Sequence, residues 1–346
     1  MKGMVLAAGV GSRLDPLTAF TPKPMVPLGN RPAMEHILAL LARHNITEVA
    51  ANLWYLPEQI KNYFADGSGY GVRLYYSEER ELLGTAGGVR KLADFFDQTF
   101  LVIAGDALTD INLSDLVAFH RAKGALATIA VKPVDDPTHY GVVVTDESGR
   151  IKGFQEKPKP SEALSLTANT GIYVFEPEIL KLIPADTFYD FGRELFPRLV
   201  AEQAPFYAFE TRAYWCDIGT HQVYRQANLD IVQGLVHLYT SGMPEAEDGL
   251  LVGADSTIDP EAELIGVNTV GNKCVIEQAY LRNSVLWDEV KIGAGAQVEE
   301  AVIGSGVRLR EGAMVPAGCV IGAGSIIGPG ADLQPGEIVP ARTVRE

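Results

Sequence analysis

"VIGSGVRLREGAMVPAGCVIGAGSIIGPGADLQPGEIV", residues 302–339, sets the architecture of the C-terminal part of the chain. Aliphatic residues recur at every sixth position, at Ile303, Leu309, Val315, Ile321, Ile327, Leu333 and Val339. A glycine or another small residue often follows one or two places later. A step of six suits one face of a triangular coil, in which each side is a short strand with its aliphatic residue inward and each corner asks for glycine. The same step runs upstream through Val252, Ile258, Leu264, Val270 and Ile276, and "LRNSVLWDEVKIGAGAQVEEAVIG" (281–304) keeps the rhythm with small slips. Residues 251–346 therefore read as a parallel β-helix.

Residues 1–235 follow a different period. Strand-length apolar runs alternate with amphipathic stretches of helix length, the pattern of an α/β layer fold. "KGMVLAA" (2–8) is the first strand, and "AMEHILALLARH" (33–44) puts Met34, Ile37, Leu38 and Leu41 on one helical stripe. "EVAANLW", "VRLYYS", "TFLVIAG", "ALATIAV", "GVVVT" and "GIYVF" supply further strands. The expected fold is a Rossmann-like, mostly parallel sheet flanked by helices over residues 1–235. A linker is expected at 236–250, where Gly242, Pro244 and an acidic run break the pattern.

Composition narrows the partners. With 346 residues, 47% of them apolar, and a formal charge of −15, the chain can bury substantial cores but has no broad basic face for nucleic acid or an anionic membrane. Its three cysteines, Cys216, Cys274 and Cys319, lie too far apart for CxxC metal spacing and are odd in number, which suits a reducing cytoplasm. The opening apolar stretch is short and glycine-broken, so it reads as a buried strand rather than a signal peptide. No run approaches the roughly 20 apolar residues of a membrane span.

One loop runs against the acidic total. "LAAGVGSRLDPLTAFTPKP" (6–24) carries Arg13 and Lys23 directly behind the first strand. A glycine-rich turn there can aim backbone N–H groups at a phosphate, since glycine permits close approach. The stretch lacks the GxxxxGK[ST] of a P-loop, and Leu14 stands where a dinucleotide fingerprint needs its third glycine.

As a whole the stretch resembles the signature of the sugar-phosphate nucleotidylyltransferases, usually written LAAGxGTRLxPLTxxxPKP, with Ser12 in place of the usual threonine. The resemblance continues through "LGTAGG" (83–88), "GD" (105–106), "YGVV" (140–143), "FQEKP" (154–158), "NTGIYVF" (169–175) and "WCDIGT" (215–220). It implies transfer of a nucleotidyl group from a nucleoside triphosphate to a sugar-1-phosphate, releasing pyrophosphate. It also implies Mg²⁺ and supplies the left hand of the β-helix. Ala7, Ala8, Gly9, Gly11, Glu79, Gly84 and Thr85 then fall on the nucleotide, with Arg13 and Lys23 on its phosphates. Gly141, Glu156, Lys157 and Asn169 fall on the sugar phosphate, and Asp106 and Asp217 on the metal. Taken singly, each aspartate would be an ordinary turn residue. Asp110 reads as a helix cap, because "TDINLSDL" leads into a helix.

The base and sugar are narrowed but left open. Glu79 or Glu81 could accept from guanine N1–H and its 2-amino group, which favours GTP with mannose-1-phosphate, although "SEERE" (77–81) could equally be a solvated charged loop. The middle segment also resembles UDP-glucose pyrophosphorylases, so UTP, dTTP or ATP with glucose-1-phosphate is the alternative. A catalytically inactive paralogue that binds nucleotide sugars predicts damage to the reactive set, yet Arg13, Lys23, Asp106, Lys157 and Asp217 are all present. Acetyl transfer by the coil would need a base, and all six histidines lie at or before His237. The β-helix is thus expected to serve packing and homo-oligomerisation.

Overall fold

The computed structural model describes residues 1–243 and 245–346; Pro244, part of the expected linker, lies outside the described residues. The chain forms two compact units, one of residues 1–9 and 37–217 and one of residues 10–36 and 218–346.

The first unit is built on a nine-stranded sheet. Its strands are β1 (Lys2–Leu6), β2 (Glu48–Leu53), β3 (Arg73–Glu78), β4 (Phe100–Ala104), β6 (Ala127–Pro133), β7 (Gly141–Thr145), β8 (Ile151–Glu156), β9 (Thr167–Phe175) and β10 (Phe206–Glu210). A short ribbon outside that sheet pairs β5 (Ala107–Thr109) with β11 (Trp215–Asp217). The order β8-β7-β9-β4-β1-β2-β3, with β6 and β10 branching from β9, gives the Rossmann-like sheet expected from the alternating pattern. Strands β3, β2, β1 and β4 run parallel, and their near-continuous apolar runs suit a sheet covered on both faces. Strand β9 joins β4 antiparallel and opens the flank that carries Gly141, Glu156 and Asn169.

Phenylalanines fill one core of this unit. The rings of Phe96 and Phe100 stack at 4.2 Å, and those of Phe191 and Phe196 lie 5.5 Å apart and nearly parallel. Tyr173 packs edge-on against Phe191 and Phe196, so its ring is fixed by the core while its hydroxyl serves a polar neighbour.

In the second unit, residues from Leu250 onward form short parallel strands in three sheets, the faces of a left-handed β-helix. Ile303, Leu309, Val315, Ile321, Ile327 and Val339 of the six-residue repeat are at most 2% exposed inside it. The slips seen in the sequence have a measurable form. Paired residues on one face are 18 apart at Leu250/Asn268, 16 at Thr269/Val285, 17 at Val285/Val302 and 18 again at Val302/Val320. Corners shortened by one or two residues leave the inward ladder intact. Corner positions in that region with positive φ include Asn283, Glu289 and Glu300, where many other corners use glycine.

Around the expected linker, residues fold back within this unit. His36 bonds Thr240 through Nδ1 at 2.7 Å, and Arg31 donates to the Gly242 carbonyl. No helix among the described residues is long and apolar enough to cross a membrane.

Candidate functional site

In the first unit, β1 ends at Leu6 and is followed by the buried Ala7 and Ala8 and the exposed Gly9. The Ala7 amide donates to Asn52 Oδ1 at 3.0 Å, Asn52 Nδ2 donates to Glu79 Oε1 at 2.8 Å, and the Leu83 amide donates to Glu79 Oε2 at 2.9 Å. Glu79 is only 7% exposed. It therefore spends both oxygens tying the segment after β1, through Asn52, to the segment before Gly84. A solvated "SEERE" loop holds for Glu81, which is exposed, and not for Glu79. Gly88 admits this brace, since a Cβ there would lie 2.8 Å from both Asn52 Nδ2 and Glu79 Oε1.

Gly84 opens helix α1 of this site (Gly84–Lys91) in the left-handed region at φ 74°, and a Cβ would meet the Tyr189 carbonyl at 2.7 Å. Thr85 Oγ1 donates to Asp190 Oδ2 at 2.9 Å and accepts from the Phe191 amide at 2.8 Å. Asp190 Oδ1 accepts from the Gly192 and Arg193 amides and so caps the turn Phe191–Leu195, a π-helical turn running directly into a segment that contains Pro197. Asp190 escaped the sequence reading. Its signal was the pairing with Glu194, whose Oε2 accepts from the Asp190 amide at 2.7 Å in a stretched form of a capping box.

The sugar-side residues gather on the flank of the sheet. Glu156, at the end of β8, pairs with Gly141 at the start of β7. Its carboxylate lies between two glycines: a Cβ on Gly192 would come within 2.5 Å of Oε2, and one on Gly141 within 3.3 Å. Burial raises the pKa of Glu156 above the ordinary carboxylate value, Lys157 opposes that shift and Asp190 adds to it. Lys157 Nζ stands 3.8 Å from Glu156 Oε1, on a backbone at φ 46° whose amide N–H donates a hydrogen bond to the Tyr140 carbonyl. Asn169 turns to its own neighbourhood, donating from Nδ2 to Tyr173 Oη and accepting from the Gly171 amide, both at 3.0 Å. The strand bulges between Asn169 and Tyr173, with Gly171 at φ 76°.

The two aspartates, 111 positions apart, are brought together by the β5–β11 ribbon, in which Asp217 pairs with Ala107, the residue after Asp106. Thr109 Oγ1 donates to the Tyr214 carbonyl at 2.7 Å, and Trp215 Nε1 donates to the Thr170 carbonyl at 2.8 Å, fixing the ribbon to β9. Asp110 is not the helix cap. Its Oδ1 accepts from the Tyr214 amide at 2.8 Å, and Asn112 caps Leu113–Ala122 instead, because it stands directly before the helix, where its side chain accepts from the Ser114 and Asp115 amides. Among the described residues no group of three or more His, Cys, Asp or Glu could hold a metal ion. Two neighbouring hard carboxylates fit a magnesium ion that takes its remaining ligands from water and substrate phosphates.

In the second unit, Gly11 precedes the turn Ser12–Leu14 at φ 72°, and Thr18 Oγ1 donates to its carbonyl at 2.9 Å. A Cβ on Gly11 would meet the Lys23 Cβ at 2.9 Å, so glycine here lets the buried Lys23 stem lie across the turn. Arg13 is exposed, and its guanidinium covers Gly219, where a Cβ would lie 3.0 Å from Nη1. The two cations belong to successive short turns, Ser12–Leu14 and Lys23–Met25, which pack on each other through Gly11.

The comparisons agree with this chemistry. Residues 2–234 match the family model described as Nucleotidyl transferase, and residues 237–333 match that of the EIF2B subunit epsilon LbH domain. A UTP–glucose-1-phosphate uridylyltransferase of Synechocystis sp. is 40% identical, covering 88% of this chain and 87% of its own. A mannose-1-phosphate guanylyltransferase of Mycobacterium tuberculosis is 34% identical, covering 86% and 82%. HddC from Yersinia pseudotuberculosis shares the fold of the catalytic part, with a TM-score of 0.59 at 24% identity over 66% of this chain and 99% of that one. The chain belongs to the nucleotidyl transferase family and is a sugar-1-phosphate nucleotidyltransferase carrying a C-terminal left-handed β-helix.

Proposed function

We propose that the chain catalyses Mg²⁺-dependent transfer of UMP from UTP to glucose-1-phosphate, giving UDP-glucose and pyrophosphate. The observation that carries this choice is the 40% identity to the Synechocystis uridylyltransferase across both parts of the chain. The inward commitment of Glu79 adds support, because a carboxylate with a bond on each oxygen inside the fold is less available to guanine's donor edge. GTP with mannose-1-phosphate is the second reading, favoured by guanylyltransferase relatives such as the Mycobacterium tuberculosis protein and by the exposed Glu81.

The chemistry asks little covalent work of the protein. A phosphate oxygen of the sugar phosphate attacks the α-phosphorus of the nucleotide, and pyrophosphate leaves in line with it. Arg13 and Lys23 neutralise triphosphate charge, and backbone groups at Ala7, Ala8, Gly9, Gly11, Gly84 and Thr85 receive the nucleotide. Lys157 binds the sugar phosphate. Glu156, Asn169 and the Gly141 backbone hold sugar hydroxyls and so keep the attacking oxygen oriented. Asp106 and Asp217 would hold the magnesium, which when bound supplies charge neutralisation on the phosphates. The β-helix is assigned to assembly of like chains.

The test is pyrophosphate release across UTP, GTP, dTTP, ATP and CTP against glucose-, mannose- and N-acetylglucosamine-1-phosphate, with Mg²⁺ or EDTA. Highest kcat/KM for UTP with glucose-1-phosphate, abolished by EDTA, is expected. A preference for GTP with mannose-1-phosphate moves the assignment to the second reading.

A further inference from the structure

Residues 10–36, which carry Arg13 and Lys23, fall in the same compact unit as the β-helix rather than with the sheet. Their attachment is specific on both sides of Lys23. Three residues before it, the Phe20 ring lies under the Arg342 guanidinium at 4.2 Å. Nearby, Pro16 packs on Gly322 so closely that a Cβ there would come within 2.9 Å of the proline Cβ. Four residues after Lys23, the Pro27 carbonyl accepts from Tyr224 Oη, and that oxygen in turn accepts from Trp287 Nε1 at 2.8 Å. Tyr224 is fully buried and Trp287 is 4% exposed, so this relay is shielded from water. The hairpin that follows is held twice more: Asn228 Oδ1 accepts from the Gly29 amide at 3.0 Å, and Asn30 Nδ2 donates to the Val270 carbonyl of a coil at 2.7 Å.

Trp287, Val270, Gly322 and Arg342 are all coil residues: Val270 and Trp287 lie on neighbouring coils, and Gly322 and Arg342 on a second neighbouring pair further along the stack. A scaffold meant only for assembly would not need to grip a phosphate-binding segment on both sides of its lysine. We propose that the β-helix positions the triphosphate-binding segment, with Trp287 and Arg342 as positioning residues for the nucleoside triphosphate. Trp287 acts through Tyr224 on the Pro27 carbonyl, and Arg342 acts through the Phe20 ring. Both fix the backbone from which Lys23 reaches. The assignment rests on the reading of Arg13 and Lys23 as triphosphate ligands given under Proposed function.

The experiment uses the full-length chain and three variants. Trp287→Phe keeps an aromatic ring and removes the donor, Arg342→Ala removes the cation, and Arg342→Lys restores a cation without the planar group. Initial rates are measured against the nucleoside triphosphate at saturating sugar phosphate and the reverse, with thermal unfolding of each variant alongside. The KM for the triphosphate is expected to rise about threefold to tenfold in Trp287→Phe and Arg342→Ala, the scale of one lost polar contact. The KM for the sugar phosphate should stay within about twofold, and Arg342→Lys should recover part of the loss. Triphosphate KM values equal to wild type in both variants overturn the proposal. So do equal rises in both KM values, which indicate loosened structure rather than positioning. If the wild-type chain turns over no substrate pair, the reading under Proposed function falls. The positioning role is then read from calorimetric Kd values for Mg²⁺ with UTP and with GTP, where the same selective weakening upholds it. Absence of nucleotide binding by the wild type overturns both.

Discussion

Asp217 stands opposite Ala107 in a two-stranded antiparallel ribbon, which puts it beside Asp106 although the sequence separates the two aspartates widely. The ribbon is secured by Asp110, Thr109 and Trp215 through the Tyr214 backbone and the Thr170 carbonyl.

Replacing either member of the pair should therefore remove chemistry and leave the fold. Asp106→Asn and Asp217→Asn are each expected to lower kcat by about a hundredfold or more, the usual scale for an electrostatic group at a phosphoryl-transfer site. Asp110→Ala should cost less, because it removes a bond to the Tyr214 amide that supports the ribbon rather than one of the two candidate metal carboxylates. Its mark should be a higher Mg²⁺ concentration for half-maximal rate. Pyrophosphate release over a Mg²⁺ titration separates the two classes.

Glu156 supplies a pH dependence of known sign. Burial raises its pKa, so its carboxylate form, the one that accepts from sugar hydroxyls in the proposed binding mode, grows as pH rises through that raised value. The KM for the sugar phosphate should fall over the same interval, by a step that is absent in Glu156→Gln. Removing the neighbouring charge in Asp190→Asn should move the step to lower pH, because Asp190 is one of the groups holding the pKa up. Comparing each profile with Glu156→Gln cancels the titration of the substrate's own phosphate.

Gly192→Ala tests the seat of the same carboxylate. The new methyl would lie 2.5 Å from Glu156 Oε2, at the flexible end of a side chain, so the carboxylate moves and the backbone need not. A rise of about tenfold in the KM for the sugar phosphate is expected, with the KM for the triphosphate unchanged. Unchanged values for both substrates would show that Glu156 does not hold the sugar.

The fold was largely legible because both halves obey strong periods. The six-residue ladder survives even where the coils shorten to 16 or 17 residues, since the corners and not the strands absorb the deletion. Side chains whose partners lie far along the chain were less legible. Glu79 looked like one charge in a polar run, yet Asn52 and the Leu83 amide draw it inward. Asp110 had a plausible helix ahead of it, but a partner 104 positions away claimed its side chain. Asp190 carries no chemistry in isolation, and only the folded chain shows it joining Thr85 to the turn that abuts Glu156. The grouping of residues 10–36 with the β-helix was invisible for the same reason, since Phe20 and Arg342 bear no period that links them.

His36 predicts how the second unit responds to acid. It is 5% exposed, its Nε2–H donates to the Leu28 carbonyl at 2.8 Å, and its Nδ1 accepts from Thr240 Oγ1. Burial lowers its pKa from 6.5 to about 4, with the nearby Arg31 charge acting in the same direction. A base whose folded pKa is depressed binds fewer protons folded than unfolded, so stability rises with pH across the interval between the two values. The neutral ring's contribution is therefore complete above about pH 6.5 and is lost progressively as pH falls toward 4. Since each pKa unit corresponds to a little over 1 kcal/mol, the loss between pH 7.5 and 4.5 is on the order of 2 to 3 kcal/mol. His36→Gln keeps a donor for the Leu28 carbonyl and cannot titrate. Urea unfolding of the second unit at the two pH values should show wild type losing on the order of 2 to 3 kcal/mol more than this variant. Equal losses would mean that the imidazole is not held neutral in the folded chain.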